Sequence, residues 1–146
     1  LAIQAKQGHS FKFWKPCADN KDVRTAAHEY AARVDLGNRA EIQVANLSHG
    51  EQRRLEVAMA LASDARLLLL DEPLAGLGPE EASEMITLLK TLKGQQTIVL
   101  IEHDMDAVFA LADRISVMVY GHIIATGDPD HIRQNQDVQH AYLGED

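Results

Sequence analysis

The sequence predicts an α/β domain with a mostly parallel sheet, on three observations. Two short apolar runs, "LLLL" at residues 67–70 and "TIVLI" at Thr97–Ile101, have the length of strands. Stretches with apolar residues at helical spacing precede, separate and follow them. The alternation itself is the third, because a helix between two strands carries the chain back to begin the next strand in the same direction. Runs that are apolar at every position further predict strands buried on both faces.

Each element can be justified in order. Residues 1–20 carry a weak pattern, with aromatic and basic residues interleaved in "FKFWKP" and a polar "ADNKD" after it, read as a short helix or extended arm and then a loop. Val23, Ala26, Ala27, Tyr30, Ala31 and Val34 then form one stripe of a helix, with Asp22 as its cap and Gly37 as its stop. Ser48 with Glu51 three residues on is a capping box. It opens a helix to about Ser63, with Leu55, Ala58, Met59 and Ala62 as the buried stripe. Pro79 suits a first helical turn, Glu80 and Glu81 complement its dipole, and Met85, Leu88, Leu89 and Leu92 form its core face before Gly94 ends it. A short helix follows over residues 105–112. Residues 115–120 and 122–125 read as strands joined tightly at Gly121, and Asp128-Pro129 starts a last helical stretch.

Composition narrows the function classes. At 146 residues, 46% hydrophobic and 25% charged, the chain has the size and make-up of one globular domain with one core. A formal net charge of -8 argues against a nucleic-acid binder, whose footprint would be basic. The single cysteine, Cys17, forms no internal disulfide and reads as a structural thiol in a reducing compartment. No apolar run approaches the roughly 18 residues needed to span a bilayer, and polar residues interrupt the first 13 positions where a signal peptide would lie.

In open α/β sheets ligands gather at the carboxyl ends of the strands. Two polar clusters stand there, Asp71-Glu72 and Glu102-His103-Asp104. An acid at a buried strand end can hold Mg²⁺ with waters retained, and a second acid beside it can polarise a water for attack. Taken alone, "LLLLDEP" also reads as a strand and a solvated turn, and a lone histidine after a strand as a surface residue. Ser48-His49-Gly50 offers a hydroxyl and backbone N–H groups at a helix N-terminus, where an anion is favoured. Gly50 would let backbone approach a phosphate closely. Alone, that too is an ordinary capped helix.

Order and spacing change the weighing. The succession "LSHGEQRRLEVAMAL", "LLLLDEP" and, thirty residues on, "IEHD" resembles the ATP-binding subunit of an ABC transporter, most strongly over residues 46–127. Residues 47–54 match that family's signature motif, 67–72 its Walker B and His103 its switch histidine. "EPLAGLGPEE" and the ending "YGHIIATGDPDHIRQNQDVQHAYLGED" resemble the branched-chain amino-acid uptake branch, with urea or amide importers as the close alternative. The resemblance implies a partial P-loop NTPase fold, with residues 1–63 part of the helical signature subdomain and 64–146 the C-terminal half of the ATPase core. It implies ATP and Mg²⁺ as ligands, Asp71 on the Mg²⁺ shell, Glu72 as general base and His103 on the γ-phosphate. Ser48, His49, Gly50 and Glu51 would meet the nucleotide of a second subunit in a head-to-tail dimer. Transmembrane permease subunits, and through them a periplasmic binding protein, are the implied partners at the cytoplasmic face of a bacterial inner membrane.

The pattern departs from the family in three respects. His49 stands for the usual glycine and Glu51 for the usual glutamine, while Gly78 replaces an aspartate that helps the two sites communicate. No stretch reads G-x-x-x-x-G-K-[ST], the loop that cradles phosphates, and the glutamine loop is missing as well. The sequence, which opens on Leu1, is therefore expected to be the C-terminal part of such a subunit, inactive alone, with an uncovered apolar sheet edge or face that leads to self-association, exchange of an element between copies, or local disorder. A non-transport ABC ATPase of the DNA-repair or chromosome type is a further alternative, though such proteins carry coiled-coil or zinc insertions that this chain lacks. A pure interaction module is the other.

Overall fold

The computed structural model describes residues 2–3 and 20–143. The arm-and-loop reading of residues 1–20 and Cys17 therefore fall almost wholly outside the described residues. The chain divides into two compact units, one up to Ile101 and one from Glu102 onward.

The first unit opens with α1 (Lys21–Ala32), capped by Asn20, whose side chain accepts from the Asp22 and Val23 amides. Asp22 sits in the first turn instead of at the cap; Asn and Asp cap equally well, so two candidates two residues apart cannot be separated by type. Gly37 does not stop the helix either. The chain leaves it at Arg33 and turns through Asp35 at φ 59°, while the Ala31 carbonyl accepts from the Val34 and Leu36 amides. Aspartate is one of the few non-glycine residues that enters the left-handed region at modest cost. Gly37–Arg39 and Val44–Asn46 form single 3₁₀ turns.

Next come α2 (His49–Ala62), β1 (Leu67–Asp71), α3 (Pro79–Leu92) and β2 (Thr97–Ile101). The capping box of α2 is present, and the core face of α3 is Met85, Leu88, Leu89 and Leu92 as expected. The α2 stripe is displaced: Val57, Ala58, Leu61 and Ala62 are buried, whereas Leu55 is half-buried and Met59 exposed.

Strands β1 and β2 pair in parallel, with Leu67 opposite Thr97 and Asp71 opposite Ile101. Burial on both faces does not hold. Leu68 is buried, but on the opposite face Leu69 is 72% and Ile101 59% exposed, with Leu67 and Val99 both at 46%. A parallel sheet is normally covered on both sides; the described residues leave one side uncovered.

The second unit holds α4 (Met105–Leu111), β3 (Ile115–Val119), β4 (His122–Gly127), α5 (Pro129–Gln134) and α6 (Gln136–Leu143). Here β3 and β4 pair antiparallel around Tyr120 and Gly121. Both turn residues have positive φ, 48° and 80°, the backbone of a two-residue hairpin whose twist matches the strands. A bulge sets Val117–Met118 against Ala125 and Ile123, leaving Ile124 unmatched. Ile115, Val117, Ile132 and Val138 form this unit's core, flanked by Val108, Phe109 and Ala125. Among the described residues, no helix is long and apolar enough to cross a membrane.

Candidate functional site

The acids Asp71 and Glu72 stand where β1 ends. Asp71 is the last paired residue of the strand, and Glu72 turns the backbone into the left-handed region at φ 46°. Such a conformation costs a non-glycine residue on the order of 1 kcal/mol. Two backbone bonds hold it: the Glu72 amide donates to the Ile101 carbonyl at 2.9 Å, and the Glu72 carbonyl accepts from the Ala75 amide at 3.1 Å. Pro73 and Leu74 are buried behind the turn while both acids are exposed. The apolar pair after the acids anchors the turn and leaves the carboxylates at the rim.

The exposed Asp71 carboxylate is an oxygen donor of the kind Mg²⁺ takes. Among the described residues no three His, Cys, Asp or Glu side chains converge on a metal position. Magnesium keeps several waters and takes one or two carboxylates together with phosphate oxygens, so one exposed acid at a strand end suffices.

His103 belongs to the second unit and is exposed. It precedes Asp104, whose carboxylate accepts from the Ala107 amide at 3.0 Å and caps α4. This cap fixes where the helix begins and so where the residue before it leaves the chain.

The N-terminal loop of α2, Ser48 with the first helical turn His49–Glu51, is built around two carboxylates. Glu51 closes the capping box: its Oε2 accepts from the Ser48 amide at 2.8 Å, and its own amide donates to Ser48 Oγ at 3.2 Å. Glu51 Oε1 also receives Arg39 Nε at 2.6 Å, with Arg39 Nη2 3.4 Å from Oε2. The Arg39 hydrogen bond, then the Ser48 amide, holds the Glu51 carboxyl below the usual range. The second carboxylate is Glu81, from the first turn of α3. Its Oε1 accepts from Ser48 Oγ and from the Gly50 amide, each at 3.2 Å, and its Oε2 from the Gly78 amide at 3.4 Å. The Gly50 and Gly78 amides are the leading causes that hold its carboxyl low. His49 is exposed, and a Cβ built at Gly76 would lie 3.8 Å from its imidazole ring. Arg54 and Glu84, 3.3 Å apart, form a further α2–α3 pair.

The first unit thus brings Ser48, Gly50 and Glu51 together in one donor-rich loop and places Asp71 and Glu72 together at a strand end. Arg39, which shapes the loop, escaped the sequence reading, and Glu81 entered it only as a first-turn acid of a helix. Glu81 carried one usable signal, its place three residues after the helix cap Gly78, but nothing local points from there to Ser48.

The chain has the fold, in part, of the ABC ATPases: a solved ATP-binding cassette of an ABC transporter in its ADP conformation matches 99% of this chain and 61% of its own at a TM-score of 0.78 and 26% identity. Residues 3–75 match the ABC transporter family, and residues 122–146 match the branched-chain amino acid ATP-binding cassette transporters. The chain belongs to the ATP-binding proteins of ABC transporters, of the branched-chain amino acid type. It is 45% identical over 121 residues to the high-affinity branched-chain amino acid transport ATP-binding protein LivG of Escherichia coli, covering 82% of this chain and 48% of LivG. The corresponding protein BraF of Pseudomonas aeruginosa is 43% identical over 125 residues, covering 82% of this chain and 49% of BraF. The chain spans about half the length of these relatives.

Proposed function

We propose that the whole protein binds and hydrolyses ATP to drive import of branched-chain amino acids across a bacterial inner membrane, working at its cytoplasmic face against transmembrane permease subunits fed by a periplasmic binding protein. The observation that carries this is the similarity to LivG and BraF over 82% of the chain, beside the separate match of residues 122–146 to the branched-chain amino acid cassettes.

The residue roles are those the family resemblance implies, and side-chain chemistry supports them. Glu72 takes the proton of the attacking water, because an exposed carboxylate beside a strand end can reach a ligand at the sheet rim. His103 donates to the γ-phosphate. Asp71 would hold the water shell of Mg²⁺, an ion that would supply charge neutralisation to the phosphate oxygens. Ser48, His49, Gly50 and Glu51 serve the nucleotide of a second ATP-binding subunit in a head-to-tail dimer: hydroxyl and amide donors meet the γ-phosphate at the positive end of α2, and Glu51, locked by Arg39, keeps the loop shaped. Residues 1–63 act as part of the helical signature subdomain and 64–146 as the later half of the ATPase core. The 146-residue chain by itself is inactive, because it carries no phosphate-cradling G-x-x-x-x-G-K-[ST] sequence.

Substrate class is tested with the whole protein and its membrane partners in vesicles. Leucine, isoleucine or valine presented with the binding protein raises ATP turnover, and urea or an amide does not. Stimulation by urea alone would move the assignment to the urea or amide importers.

A further inference from the structure

One contact in the first unit has no part in the roles just given. The Glu81 carboxylate sits on the donors of the Ser48–Glu51 loop, with Oε1 3.2 Å from both Ser48 Oγ and the Gly50 amide. Its second oxygen is held by the Gly78 amide at 3.4 Å. Gly50 is what admits it: a Cβ there would lie 2.7 Å from Glu81 Oε1 and 2.8 Å from its Cδ. The bare backbone at residue 50 therefore already accommodates an anion, and the anion comes from α3.

A hydroxyl and an amide converging on one negative oxygen is the arrangement a phosphate oxygen requires. Ser48 Oγ has a single proton to give, and Glu81 Oε1 receives it. Two anions at one pair of donors repel each other, so carboxylate and phosphate exclude one another there. Glu84 lies three residues along the same helix and pairs with Arg54 instead, so its charge is comparable but not seated on the loop.

We propose that Glu81 is an internal stand-in for phosphate, which occupies the Ser48 and Gly50 donors and must be displaced before the loop engages a γ-phosphate. This rests on reading Ser48–Glu51 as a phosphate-contacting loop. Glu81 is a positioning residue: it keeps the two donors aimed at one point and sets a threshold for a phosphate that takes its place.

The test titrates inorganic phosphate, at constant ionic strength, into the ¹⁵N-labelled 146-residue chain, kept dilute enough to remain unassociated, and follows the Gly50 amide. Wild type is compared with Glu81→Gln, which keeps the shape and loses the charge, and with Glu84→Gln, which makes the same charge change away from the loop. The proposal expects Glu81→Gln to lower half-saturation at Gly50 by about fivefold or more and Glu84→Gln to leave it near wild type. Should Glu81→Gln lose its dispersed amide spectrum, Glu81→Asp, which keeps the charge but reaches less far, takes its place with the same expected direction. Equal phosphate affinity in wild type and the Glu81 variant, or equal tightening by both Gln variants, overturns the competition and leaves the phosphate reading of the loop intact. A Gly50 amide that phosphate moves in none of the proteins sinks that reading, and the proposal with it.

Discussion

Ser48 and Glu51 were legible because a capping box is a local pattern, two residue types three positions apart. The partners that complete the loop were not. Arg39 reaches Glu51 across 12 residues and Glu81 reaches Gly50 across 31, and no spacing rule connects them. The charges make a prediction at this scale. Glu51 and Glu81 are both held below the ordinary carboxyl range, by Arg39 and by backbone amides respectively. A depressed folded value means that their contribution is fully present above the unfolded glutamate pKa of ~4.3 and is lost as pH falls through the lower folded values. Urea midpoints should therefore fall between about pH 6 and about pH 3. Over the same range the gap between wild type and Glu51→Gln or Glu81→Gln should close. A gap that stays constant with pH would show that neither carboxylate's charge supports the fold.

Helices and strands were mostly found where the pattern placed them, but their faces were less secure. The α3 face was legible because large apolar residues recur at Met85, Leu88, Leu89 and Leu92 with polar residues between. In α2 small residues dominate, so two stripes that share Ala58 and Ala62 and differ by a little under a quarter turn fit almost equally well, and packing inside the unit chose Val57, Ala58, Leu61 and Ala62. The contrast is testable with one residue type. Met85 is 1% exposed and Met59 52%. Met85→Ala should cost about 2–5 kcal/mol by opening a cavity, and Met59→Ala no more than about 0.5 kcal/mol. Similar losses in denaturant midpoint for both would mean that the α2 face is misassigned. The hairpin turn was legible in Gly121 but not in Tyr120, since a tyrosine gives no sign that its backbone will turn left-handed.

Across the whole molecule the sequence indicated an α/β fold of the ABC type, and the comparisons bear that out. Burial was harder to read, because a run of four leucines states that a strand wants cover on both sides but not whether cover is present. Leu67, Leu69, Val99 and Ile101 stand uncovered on one sheet face. Such a contiguous apolar face favours association, so the 146-residue chain should show a weight-average mass that rises with concentration in light scattering. Leu69→Lys should shift that rise to higher concentration; a concentration-independent monomer in both would contradict it. The proposed role of Glu72 as the base of the ATPase is tested most directly in the whole protein. With Glu72→Gln, steady-state ATP turnover should fall by roughly 10²–10⁴-fold while bound ATP is retained on the protein. Turnover that persists near the wild-type rate would remove Glu72 from that role and with it the chemical reading of the strand-end acids.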